Sequence, residues 1–245
     1  MSEPPIYPAP DRSRGEHDER VAGDGALRRR AYDRIEDLLN SGRLAPGQLI
    51  SQRELVALTG ATLGSVREAV PRFEAEGLLL TVPKKGLMVP GLDVKFVREA
   101  YQVRSMIEHT AVPDMIRNLD DATIRGFIDG QKALEAELLT AGRDVSADLL
   151  DRIQREDWNM HAAFVAAMGN SLIDNIYRVN AIKIRMVAQS RLKVTGTNAG
   201  RIMGEHFKVL SALAARDRAA TERALSLHLG NSLQIALGGE AAPFE

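Results

Sequence analysis

The sequence predicts a mainly α protein in two parts: a compact set of short helices closed by a small β-hairpin, then an all-α antiparallel bundle of about six helices. Three observations predict it. Up to about residue 90 the helical segments are short, separated by turns, and end in a Pro83-Lys84-Lys85-Gly86 turn between alternating apolar residues. Beyond Pro90-Gly91 apolar residues recur at three- and four-residue steps over long stretches, with little sign of strand. Short breaks such as Leu119-Asp120 and Gly169-Asn170 join those stretches, as antiparallel neighbours require.

Composition narrows the classes. A chain of 245 residues suits two ordinary domains or one large one. Its formal net charge of -1 means that any affinity for nucleic acid has to come from a local patch. The absence of cysteine excludes disulfides, thiolate catalysis and sulfur-ligated metals, and suits a reducing compartment. A metal here must take nitrogen and oxygen ligands. No run approaches the roughly 18 apolar residues of a membrane span, and the N-terminus lacks the apolar core of a signal peptide. The reading is a cytoplasmic protein with no membrane partner.

In chain order, residues 1–23 combine Pro, Gly and mixed charge without apolar periodicity and read as a tail; His17 lies in it. Residues 24–90 form the first domain. Leu27, Ala31, Ile35, Leu38 and Leu39 mark a helix that Asn40-Ser41-Gly42 ends. Ser51 caps a helix over 52–58, with Glu54 at the reciprocal capping-box position. Thr59-Gly60 make a turn, and Thr62 can cap a third helix carrying Val66, Ala69, Val70 and Phe73. Two short helices about a Gly-containing turn suggest a helix-turn-helix, and the hairpin after them, with two lysines at its tip, completes a winged helix-turn-helix.

The run from Gly42 to Val89 resembles the DNA-binding domain of the GntR family of bacterial regulators. The resemblance lies in Leu44-Ala45-Pro46-Gly47-Gln48-Leu49, the helix SQRELVALTG, the core VREAV, and EAEGLLLTVPKKG. It implies DNA contacts at Arg53, Thr62, Ser65 and Arg67, and at Lys84, Lys85 and Gly86 in the wing. Arg and Lys there can neutralise phosphates, and Arg67 can also read a guanine edge. Each is alternatively a solvated surface residue. The chain departs from the family where Thr62-Leu63-Gly64-Ser65 replaces a small polar residue followed by Arg-Thr-Pro, so a base-reading arginine is missing, and Pro71 sits inside the helix. Ten Lys+Arg against eight Asp+Glu over residues 24–90 give only +2. One copy would bind weakly, and the resemblance implies a homodimer on double-stranded operator DNA.

Residues 91–93 read as a linker, 94–237 as the helical domain and 238–245 as a tail. Six helices are expected, over 94–117, 122–140, 147–168, 171–193, 198–215 and 218–237. Asp157 and His161 stand one turn apart in REDWNMHAAFVAAMGN, a spacing that lets a carboxylate and an imidazole share a cation. His206 and His228 open inward-leaning stripes on later helices. Together the four make an N3O ligand set for a divalent metal; the alternative is imidazoles that simply hydrogen-bond to neighbours.

This half resembles the FCD effector domain of the FadR-type GntR subfamily, through VRSMIEHTAV, DWNMHAAFVAAMGN and EHFKVLSALAARDRAATERALSLHL. That resemblance implies a divalent metal, zinc or nickel, on Asp157, His161, His206 and His228, beside a cavity for a small organic acid. Arg104 matches an arginine the family turns toward the effector, or else pairs with Glu108 four residues on. Arg185 and Asn231 are weaker effector candidates. Trp158 and Met160 read as packing or as cavity wall, and His109 has no assigned role. The chain thus reads as a repressor switched by metal and effector. Two alternatives stay open: a purely structural metal, and a metal-dependent hydrolase whose metal activates water.

Overall fold

The computed structural model describes residues 30–142, 144–192 and 194–242. The tail at 1–23 and Pro243 to Glu245 lie outside those described. The described residues form two compact units, divided between Pro90 and Gly91.

In the first unit α1, described over residues 30–40, is followed by α2 (Gln52–Thr59) and α3 (Leu63–Ala75). Ser51 and Glu54 form the reciprocal capping box, and Gly60 ends α2 with a left-handed φ of 62°. The Thr62 side chain accepts from Ser65 N at the start of α3, which runs through Pro71 to Ala75. Tyr32 of α1 stacks on Phe73 of α3 with ring centroids 4.4 Å apart, and its hydroxyl donates to Glu76 at 2.6 Å. Ile35, Leu39, Leu44, Leu55, Phe73, Leu78 and Leu79 are fully buried around this joint.

The wing is a three-stranded antiparallel sheet where a two-stranded hairpin is expected from sequence. Strand β1 (Leu49–Ile50) pairs with β3 (Gly86–Met88), which also pairs with β2 (Leu80–Val82), in the order β1-β3-β2. The register sets Ile50 against Leu87 and Val82 against Gly86. A Cβ on Gly86 would meet Ile50 O at 2.9 Å, and φ there is +106°, so the position accepts glycine for a steric reason.

The second unit is α4 (Val94–Asn118), α5 (Asp121–Ala141), α6 (Ala147–Ala166), α7 (Ser171–Arg191), α8 (Ala199–Ala214) and α9 (Arg218–Ala236). Asp93, Asp120, Ser146, Asn170 and Asp217 cap five of these helices through side-chain acceptors; Asn198 makes no such bond at α8. Helix α4 packs on α6, α7 and α9, and α8 packs on α5 and α9. One apolar layer joins Val112, Met115, Ile124, Met160, Phe164, Leu210, Leu213, Leu225 and Leu229. The site lies along the same helices. Among the described residues no helix is long and apolar enough to cross a membrane.

Candidate metal centre and adjoining cavity

Helices α6, α8 and α9 bring Asp157, His161, His206 and His228 together. One ligand atom from each lies within 4.8 Å of the others, and the three histidines are buried. His161 Nε2 is 3.2 Å from His228 Nε2 and 3.3 Å from Asp157 Oδ1, while His206 Nε2 is 3.1 Å from that same oxygen. Asp157 Oδ1 and His206 Nε2 are buried, and neither has a hydrogen-bond partner of acceptable geometry.

The outer ring nitrogens are occupied. His161 Nδ1 faces Glu108 Oε2 at 2.7 Å, and His228 Nδ1 faces Glu205 Oε2 at 2.9 Å. A carboxylate can only accept, so both Nδ1 atoms carry protons and both Nε2 atoms turn inward. Two inward lone pairs 3.2 Å apart repel unless a cation or a proton lies between them. Burial works against an imidazolium at His161, as does nearby Arg104, yet Glu108 and Asp157 raise its pKa above the ordinary value. Burial pushes His228 down to about 4 despite Glu205. His206 is likewise lowered by burial, with Asp157 opposing. One proton at His161 can therefore satisfy the pair.

A metal satisfies more of the cluster. With Zn–N bonds of about 2.0–2.1 Å, tetrahedral ligands stand about 3.3 Å apart, close to the three separations above. The donor set is nitrogen and oxygen, and the outer carboxylates orient the rings, so the residues fit a divalent ion.

Glu108 is fully buried on α4, and burial alone would raise its carboxyl; His161 and Arg104 beside it hold it well below the usual carboxylate range. Its Oε1 accepts from Arg104 Nε at 2.8 Å and from the Tyr177 hydroxyl at 2.7 Å. Glu205 repeats the arrangement on α8: Oε1 accepts from Asn231 Nδ2 at 2.8 Å and Arg201 Nη1 at 2.6 Å. Neither glutamate stands out in sequence as a site residue. Glu108 is visible there only as Arg104's neighbour, and Glu205 only as the residue before His206.

Beside the cluster is a cavity of about 220 Å³, whose walls include His161, Trp158, Arg104, Tyr177, Arg178 and Arg185, with Val165 and Ile184 apolar and Asp174 acidic. Arg104 Nε pairs with Glu108, and the same side chain lines the cavity. The Arg185 guanidinium lies 5.0 Å from the Trp158 ring centre. Asn231 does not line the cavity; it is tied to Glu205 and accepts from Ala242 N at 2.8 Å. Met160 is core, and His109 bonds Ser105 and Ser226 outside the cluster.

In the first unit Arg53, Thr62, Arg67, Lys84 and Lys85 are exposed. Arg67 Nε reaches Gln52 Oε1 at 3.4 Å. Ser65 is buried and its hydroxyl lies 2.9 Å from that of Thr62, within the helix cap.

A winged helix-turn-helix joined to a helical unit with a ligand cluster defines a two-part transcriptional regulator. The chain belongs to the GntR family of bacterial regulatory proteins, whose domain matches residues 27–89, and carries an FCD domain over residues 99–231. It is similar to the HTH-type transcriptional regulator YdhC of Bacillus subtilis, itself uncharacterised, at 22% identity over 83% of this chain and 88% of that protein. E. coli McbR/YncC superposes with a TM-score of 0.72 at 16% identity, covering 86% of this chain and 97% of the other. A GntR regulator from Rhodococcus sp. RHA1 gives 0.71 at 19% identity, covering 87% and 98%. At these identities the structural likeness establishes the fold. Both families are regulators, not enzymes, so the hydrolase alternative is set aside.

Proposed function

We propose that the protein is a metal-dependent, ligand-responsive repressor. Asp157, His161, His206 and His228 hold one divalent ion, zinc or nickel, and the adjoining cavity takes a small organic acid. A homodimer binds near-palindromic operator DNA through Arg53, Thr62, Arg67 and the Lys84-Lys85-Gly86 wing tip; Ser65, buried in the helix cap, supports that surface and does not reach the DNA. The single observation that carries the reading is the convergence of four ligand atoms within 4.8 Å, beside a cavity with three arginines to one aspartate on its walls. A bound ion would supply positive charge and Lewis acidity near the cavity, which His161 lines. Arg104, fixed through Nε by Glu108, offers its remaining N–H groups to a carboxylate, and Trp158, Val165 and Ile184 enclose an apolar body.

An effector changes operator affinity only if it binds the DNA-competent and DNA-incompetent forms unequally. The test is a thermal-shift screen of small carboxylates with and without zinc, followed by binding to an operator selected from random DNA. The expected hit stabilises the protein more with zinc present and alters operator affinity. A carboxylate that binds without changing DNA affinity would overturn the switch, and purified protein that holds no divalent ion would overturn the metal centre.

A further inference from the structure

Glu108 and Glu205 sit in matching environments, and the match has a chemical consequence. At each, one carboxylate oxygen accepts from two donors: Arg104 Nε and Tyr177 Oη for Glu108, Arg201 Nη1 and Asn231 Nδ2 for Glu205. The other oxygen faces a single imidazole Nδ1, that of His161 or His228. Each carboxylate therefore meets three donors and no acceptor. Both glutamates are buried, at 0% and 1% exposure, so water cannot readily replace a lost partner.

We propose that Glu108 and Glu205 are the positioning residues of the metal centre: as ionised acceptors they fix His161 and His228 with Nδ1 protonated and Nε2 bare toward the ion. This rests on the metal-binding reading above and adds to it which residues set the ring tautomers.

A glutamine in either place keeps the shape but has one oxygen and one NH2 group for the same three donors. The amide oxygen stays with the two donors, since turning it round would set NH2 against both. The NH2 group then faces Nδ1, and the imidazole can accept it only by moving its own proton to Nε2. That proton occupies the position through which the metal would be bound. The substitution thus acts on the ligand without touching it.

The test uses the full-length protein and its E108Q and E205Q variants, with zinc affinity read by chelator competition and ring protonation read from imidazole 15N signals of the metal-stripped protein. Wild type should show protonated Nδ1 on His161 and His228. E108Q should lose the Nδ1 proton of His161 alone, E205Q that of His228 alone, and each should bind zinc about 10–100-fold more weakly. A merely structural role would leave the 15N pattern unchanged. The E205Q arm decides the same point at His228 if E108Q does not fold, which circular dichroism establishes. Zinc affinity within twofold of wild type in the folded variants, or weaker binding with Nδ1 still protonated, overturns the positioning role alone. Failure of wild type to take up zinc overturns the metal centre itself, and with it the role of the two glutamates.

Discussion

His206→Ala should abolish most of the protein's stabilisation by zinc while leaving the metal-free fold in place. A ligand that binds only the folded state contributes RT ln(1 + [L]/Kd), about 2.7 kcal/mol at a hundredfold excess over Kd. For a protein of 150–250 residues each kcal/mol moves the melting temperature by roughly 2–4 °C, so wild type should gain about 5–11 °C. His206 supplies an Nε2 atom 3.1 Å from Asp157 Oδ1, on a helix that provides no other member of the quartet. Its removal should weaken zinc binding at least as much as losing a residue that merely orients a ligand, about 100-fold. At the same zinc concentration the gain then falls to about 0.4 kcal/mol, or roughly 1–2 °C. The assay is differential scanning fluorimetry of metal-stripped protein titrated with zinc. His109→Ala is the control, because His109 is bonded to Ser105 and Ser226 instead. An undiminished zinc shift in His206→Ala, or a loss as large in His109→Ala, would sink the assignment.

Gly86→Ala should cost about 1–3 kcal/mol in urea unfolding, because φ is +106° and the added Cβ would press on Ile50 O at 2.9 Å. An unchanged unfolding midpoint would show that the wing relaxes freely. Arg104→Ala should destabilise the metal-free protein by about 3–5 kcal/mol, since it leaves the Glu108 carboxylate buried without its cation. Arg67→Ala should leave the melting temperature in place but reduce discrimination between selected operator and random DNA by about 1–3 kcal/mol, measured by fluorescence anisotropy. Equal loss on both DNAs would make Arg67 a phosphate contact only.

Local rules explain what was readable from sequence. Ser51 with Glu54, and Thr62, are caps whose partners lie three residues away. Asp157 and His161 were visible because the helical repeat itself puts them on one face. Strand β1 was hidden, since two residues joined to β3 by backbone bonds leave no periodic side-chain signal. Glu108 and Glu205 were hidden for another reason: their imidazole partners stand 53 and 23 residues away, on other helices. The replacement of the family's Arg-Thr-Pro by Leu63-Gly64-Ser65 is legible too, and Ser65 proves to be buried beneath the Thr62 cap.

The energetics of the bundle give the polar layer its meaning. Met160 and His161, or His228 and Leu229, are chain neighbours, yet one of each pair enters the apolar layer and the other the cluster. Filling the second position with apolar residues of similar volume would avoid the desolvation of Arg104, Glu108 and Glu205, a substitution that is often neutral or stabilising. Protein groups compensate most of that cost, through the three donors on each glutamate. They do not complete it: Asp157 Oδ1 and His206 Nε2 are buried 3.1 Å apart, at an angle too poor for a good hydrogen bond. Buried polar atoms nearly always find partners, and an ion bound between helices α6, α8 and α9 would supply both. Metal removal should accordingly loosen these three helices relative to α5, and amide hydrogen exchange should rise first around His161, His206 and His228; uniform exchange across the bundle would contradict that coupling.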